Sequence, residues 1–272
     1  MVQDVLSQTT QRHVPRWVST VIADFEMFGR DVVSVEDVGR ALGEAPDSRR
    51  VKNTIHTLVR LGWLRPLPTR GTYEFLSARG GPYSGGDPLI EARAVRKKRP
   101  DFRLAVVGSG AAFLRGFSER APNQYVIAAD KRQGGSVALN AAYDVVRTTA
   151  ERIDDVPELR GVPVSDAVHL LADAALWPAT VGDLRDVDHW LRRALADVEP
   201  PTAAAAARRV GTAAAARMSY LAERFGALAV AAAIAETLPH RAKTHIGNLT
   251  APIVARDPAL GVDDRLGVAT RG

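Results

Sequence analysis

Apolar positions at helical spacing open the readable part of the chain. Trp17, Val18, Val21, Ile22 and Phe25 fall on one face of a helix predicted to begin at Pro15. Proline suits a first helical turn, where its missing N–H would have no partner anyway. After Gly29, Asp31 to Val33 reads as a short extended stretch, and Ser34 opens a second helix with Asp37 three residues on, the spacing of a reciprocal N-terminal cap. Val35, Val38 and Leu42 form its buried face, and the turn over 43–47 ends it. A third helix is expected from about Ser48 to Leu61, with Val51, Ile55 and Leu58 as its core stripe and Gly62 as its stop. Trp63 to Leu67 and Thr72 to Leu76 then read as two short strands around a tight turn, with Arg70 at the tip. Helix, helix-turn-helix and hairpin in this order predict a winged-helix module over roughly residues 14–77.

The polar face of the third helix gives that module a candidate task. Turning about 100° per residue, Arg49, Asn53, His56 and Arg60 project opposite the core stripe, with Arg50 and Thr57 beside them and no acid among them. Arg and Asn are side chains that pair bidentately with guanine and adenine edges in the major groove, and Lys52 and Thr54 are placed to reach phosphates. A basic hairpin tip in such modules touches backbone or minor groove. The expected DNA-binding set is therefore Arg49, Arg50, Asn53, His56, Thr57, Arg60 and Arg70. A merely solvated helix, or a winged-helix protein adaptor, would show the same periodicity, so the charge balance matters. Residues 1–100 hold 16 Lys/Arg against 11 Asp/Glu, and residues 101–272 hold 20 against 20, so the formal net charge of +5 lies wholly in the first part. A positive field confined to the candidate module agrees with a polyanionic partner.

The remainder offers little chemistry. Residues 78–100 are expected as a linker: 80–88 are rich in Gly and Pro, and the run Arg96-Lys97-Lys98-Arg99 reads as a solvated helix end. Phe102 to Val107 reads as a buried strand followed by Gly108-Ser109-Gly110, and a second strand, Tyr125 to Ala129, ends at Asp130. That spacing imitates a dinucleotide-binding turn, but the third glycine is replaced by Phe113 and no succession of βαβ units follows. Asp183, Asp186, Asp188 and His189 cluster in sequence without a shared helical face, and His240 and His245 are five apart, so no metal site is expected. The absence of cysteine removes thiolate metal sites and cysteine nucleophiles. No catalytic residue, metal or cofactor is therefore expected. Nothing resembles a signal peptide or a membrane span, which predicts a cytoplasmic protein with no membrane partner.

Further elements are expected as an extended segment over 137–148, a helix after Ser165 or Asp166, and another from Val181 to Ala196. Alanine-rich helices over 202–225 and 227–237 follow, then short strands at 253–254 and 267–269. The fold class is thus α+β, an N-terminal winged helix-turn-helix (1–77) and a linker (78–100) followed by a mixed α/β domain with a helical C-terminal part (101–272).

Several segments resemble AbiEi-type antitoxins, the DNA-binding partners of nucleotidyltransferase toxins in bacterial abortive-infection systems. They are Leu58-Val59-Arg60-Leu61-Gly62-Trp63-Leu64 continuing to Arg70-Gly71-Thr72-Tyr73, the stretch from Tyr143 to Thr149, 160–167 leading into Leu170-Leu171, and 217–226. The resemblance implies binding to inverted repeats upstream of the protein's own operon, repression of that operon, and neutralisation of a nucleotidyltransferase toxin through the C-terminal domain. The Gly/Pro-rich 80–88 segment and the alanine-rich helices depart from the family pattern. The alternative is a stand-alone winged-helix regulator whose C-terminal domain senses a small molecule.

Overall fold

A computed structural model describes residues 14–78, 86–131, 139–181, 188–247 and 249–266. The chain divides into two units, 1–102 with 132–142, and 103–131 with 143–272.

In the first unit, α1 (Ser19–Met27) buries Val21, Ile22 and Phe25, and β1 (Val32–Ser34) leads directly into α2 (Val35–Leu42). The expected cap is present at α2: Asp37 N–H donates to Ser34 Oγ at 3.3 Å, and Ser34 N–H donates to Asp37 Oδ2 at 2.8 Å. Next come α3 (Arg49–Arg60), β2 (Leu64–Pro66) and β3 (Thr72–Phe75). β3 lies in the middle of a three-stranded antiparallel sheet, pairing Val33 with Tyr73 and Leu64 with Phe75. One apolar cluster joins the three helices to this sheet through Val18, Phe25, Val38, Val51, Leu58 and Trp63, and Phe75 meets Phe25 edge-on at 5.4 Å.

Two expectations fail in this unit. Trp17 is not part of the core: α1 begins at Ser19, after a turn in which Val18 N–H donates to Pro15 C=O at 2.9 Å, and Val18 alone of the pair points inward. The 78–100 segment, expected as a linker, contains α4 (Ile90–Lys98), whose Ile90 and Ala94 pack with Val32 and Leu67. A short 3-10 turn, Leu139–Ala141, also belongs here, where part of an extended segment was expected.

In the second unit, β4 (Leu104–Val107), β5 (Tyr125–Ala129) and β6 (Tyr143–Arg147) form a sheet in which β5 pairs antiparallel with β4 and parallel with β6, and α5 (Gly108–Leu114) follows β4. β7 (Glu158–Leu159) and β8 (Val162–Pro163) make a small hairpin. Asp166 caps α6 (Ala167–Leu176), accepting from His169 N–H at 3.1 Å. The helices α7 (Asp188–Leu195), α8 (Pro200–Val210), α9 (Thr212–Arg224) and α10 (Leu228–Ala235) follow. The single helix expected over 202–225 is two, because Gly211 takes a left-handed φ of 84° between them. Pro200 and Pro201 form the first turn of α8. Of the helix expected from Val181, residues 182–187 lie outside the described residues.

A third sheet ends the unit: β9 (Thr244–Gly247), β10 (Ala255–Asp257) and β11 (Val262–Arg265), with β11 central, parallel to β9 and antiparallel to β10. The strand expected at 253–254 starts at Ala255 instead, and 267–269 lie outside the described residues. Among the described residues no helix is long and apolar enough to cross a membrane.

Candidate nucleic-acid interface

α3 is fixed from below. Val51, Thr54, Ile55 and Leu58 are buried, and Ser48 Oγ accepts from Val51 N–H at 3.2 Å, satisfying one of the free donors of the first turn. That anchoring leaves Arg49, Arg50, Lys52, Asn53, His56 and Arg60 exposed and Thr57 half-buried. Thr54 is not a phosphate contact: it is fully buried and its hydroxyl donates to Arg50 C=O at 2.8 Å. Arg50 is partly engaged, with Nη1 3.1 Å from Glu44 Oε1 across the preceding turn. Arg49, Lys52 and Arg60 make no ion pair with the described residues.

An open depression beside α3 is lined by Arg49, Arg50, Asn53, His56, Thr57 and Trp17. Four expected base or phosphate contacts thus gather with Thr57 around one concavity, while Arg60 and Arg70 lie outside it. Trp17 is the residue that sequence reasoning missed. Its helical spacing with Val18 and Val21 placed it in the core, and only its position before the first helical residue could have signalled otherwise.

The hairpin holds Arg70 outward. Thr69 is buried, Thr72 Oγ1 donates to Thr69 C=O at 2.6 Å, and Arg70 is exposed between them. Arg65, directly opposite Glu74 in the register, pairs with it at 2.6 Å and is committed to the sheet. The basic run at the end of α4 is also committed. Lys97 Nζ lies 2.8 Å from Asp37 Oδ2, Lys98 Nζ lies 3.2 Å from Glu36 Oε1, and Arg99 pairs with Asp101 at 3.1 Å. Burial alone would raise the Asp37 carboxyl, but Lys97 and the Ser34 hydrogen bonds outweigh it and hold the group below its ordinary range.

In the second unit, the Gly108-Ser109-Gly110 turn serves packing. The two strands flanking it, β4 and β5, are antiparallel, whereas a dinucleotide-binding βαβ unit requires parallel neighbours. A Cβ on Gly108 would stand 2.2 Å from Thr180 C=O, and one on Gly110 would stand 2.6 Å from the Tyr125 ring. Gly108 N–H donates to Asp173 Oδ2 at 3.0 Å. Burial pushes that carboxyl up to about 6 despite this bond. Asp130, the apparent ribose acid, accepts from Arg103 N–H at 3.2 Å.

His169 sits between two acids, with Nδ1 2.7 Å from Asp166 and Nε2 3.5 Å from Asp155. It borders a cavity of about 30 Å³ also lined by Ser165 and Asp173. Asp183 and Asp186, and the side chains of Asp188 and His189, lie outside the described residues. Among the described residues no group of three or more potential ligands is placed to hold a metal ion.

Residues 104–224 match the family model for the AbiEi antitoxin C-terminal domain. That stretch is similar to the C-terminal domain of AbiEi-type antitoxins. The match begins on the first residue of β4 and ends on the last of α9, so element boundaries and match boundaries coincide. The β9–β10–β11 sheet and all elements from α1 to α4 lie outside the matched AbiEi segment. The crystal structure of the RV2827C protein from Mycobacterium tuberculosis is similar in fold, with a TM-score of 0.73 and 24% sequence identity over 93% of this chain and 92% of that chain. No curated protein matches the chain.

Proposed function

We propose that the chain is a DNA-binding autorepressor and antitoxin. In this reading residues 14–77 are a winged-helix module that docks α3 in the major groove of double-stranded DNA at inverted repeats in the protein's own operator. The hairpin carrying Arg70 is the wing. The AbiEi-type domain that follows in sequence offsets a nucleotidyltransferase toxin, as its family resemblance implies. One observation carries the DNA half: the exposed face of α3 presents Arg49, Asn53, His56 and Arg60 without an acid among them, on a helix anchored by Val51, Ile55 and Leu58. The helix order, the antiparallel sheet with β3 central and the charge excess of the first 100 residues support the same reading.

A ligand-sensing regulator finds less support. The cavity beside Asp173 has about 30 Å³, room for a water or two, whereas small-molecule pockets span roughly 300–1,000 Å³.

The test is a binding titration on the protein's own upstream duplex and on random DNA. Arg49→Ala and Asn53→Ala should each cost about 1–3 kcal/mol on the cognate site and far less on random DNA. Arg70→Ala should weaken both more nearly alike. In a co-expression assay with the toxin candidate, Asn53→Ala should retain protection while repression fails. An unchanged cognate-to-random ratio in both α3 variants would remove α3 as the reader.

A further inference from the structure

We propose that Trp17 is a DNA-backbone contact of this module, laying its indole face on a deoxyribose while its ring N–H donates to a phosphate. The inference rests on the DNA-binding reading above and adds a residue to it.

Trp17 is 51% exposed, whereas Trp63 and Trp190 are buried and Trp177 is half-buried. Its placement is set by its neighbours. Val18 is fully buried, Val18 N–H donates to Pro15 C=O, and Ser19 Oγ donates to Arg16 C=O at 2.6 Å, which fixes the turn and turns the indole outward. The indole borders the depression whose other walls are Arg49, Arg50, Asn53, His56 and Thr57. All five of those walls are hydrogen-bonding side chains and two are guanidinium groups.

An apolar protein surface would desolvate those polar groups without replacing their hydrogen bonds. A second copy of the chain packed across a two-fold axis on this depression would set the same basic patch against itself, like charge facing like. A duplex suits both parts of the site. Its backbone alternates phosphates, which the guanidinium groups and the indole N–H can meet, with sugars whose apolar faces suit the indole ring. In helix-turn-helix docking the first helix crosses the backbone while the recognition helix enters the groove, and Trp17 lies two residues before the start of α1 and borders α3.

The experiment uses the full chain and two duplexes, its own upstream region and a random sequence of equal length. Adding either duplex should change tryptophan emission, and the change should be absent in Trp17→Phe. Trp17→Ala should weaken both duplexes about tenfold, the loss of one well-packed aromatic contact, with an unchanged melting temperature. Trp17→Phe should bind between the two, because it keeps an apolar ring and loses the donor. If Trp17→Ala binds both duplexes like the parent while Arg49→Ala is impaired, this inference fails and the DNA reading stands. If the parent binds neither duplex, the DNA reading fails and this inference with it. A fall in sedimenting mass for Trp17→Ala without DNA would assign the indole to a second copy and overturn the proposal.

Discussion

Burial sets the ionisation of Glu91. This side chain on α4 is 8% exposed, its Oε2 has no hydrogen-bond partner among the described residues, and the attraction from Arg65, opposed by repulsion from Glu74, is too weak to offset burial. The carboxyl is pushed up to about 7. A folded-state pKa above the unfolded value means that the native state holds the proton longer, so stability falls as pH rises from about 4.5 to 7 and levels off above that. Glu91→Gln should therefore raise the melting temperature at pH 8 and leave it nearly unchanged at pH 4, a comparison that two thermal scans settle. Asp173, raised to about 6, contributes a slope of the same sign that the Glu91 variant leaves in place. Gly108 is the second residue whose surroundings dictate its identity. With φ at 63° and Thr180 C=O in the space a Cβ would take, Gly108→Ala should cost about 3 kcal/mol, read by chemical denaturation. A substitution there tests packing, so it cannot report on a nucleotide.

Elements with a strong local signal are legible in the amino-acid sequence. The Ser34–Asp37 spacing announces the α2 cap, and Ser34→Ala should lower stability by about 1 kcal/mol, measured as a shift in denaturation midpoint. The Val51, Ile55 and Leu58 stripe locates α3 and, by subtraction, the exposed set from Arg49 to Arg60. What escapes does so for physical reasons. Leu89, Ile90, Ala94 and Val95 are spaced for a helix, but breakers precede them and four basic residues follow, and only the apolar Val32 and Leu67 on other elements show that α4 has something to cover. Pro15 and Trp17 continue the apolar spacing of α1 past its true start, and periodicity cannot tell a helical position from a turn that happens to fall in phase. The β9–β11 sheet is mostly invisible in the pattern because its strands carry polar residues, among them Asp264. That carboxylate is fully buried and is held by Arg224 and, at 2.7 Å, by the Tyr220 hydroxyl, partners 40 and 44 residues away in sequence.

At the scale of the whole chain, net charge overstates what is available to a polyanion. Arg30, Arg40, Arg65, Arg93, Lys97 and Lys98 each face an acid inside the first unit. Arg16, Arg49, Lys52, Arg60 and Arg70 face none among the described residues, and the last four lie on α3 and the hairpin tip. Each phosphate neutralised on B-DNA contributes about −0.9 to the slope of log affinity against log salt, because a condensed counterion is released. The four cations on α3 and the hairpin tip predict a slope of about −3 to −4 per bound chain. Arg70→Ala and Arg60→Ala should each make the slope shallower by about one unit. Lys97→Ala should leave it unchanged, because that ammonium already neutralises Asp37, and its effect should appear in stability instead. The same ion pairs and the Ile90 and Ala94 contacts tie α4 to the first unit, so a fragment ending at residue 102 should melt higher than one ending at 77. Both fragments retain these cations, so their salt slopes should agree wherever both are folded. A Lys97→Ala slope as shallow as that of Arg70→Ala would mean that α4 faces the phosphates, and the division between committed and free charge would have to be redrawn.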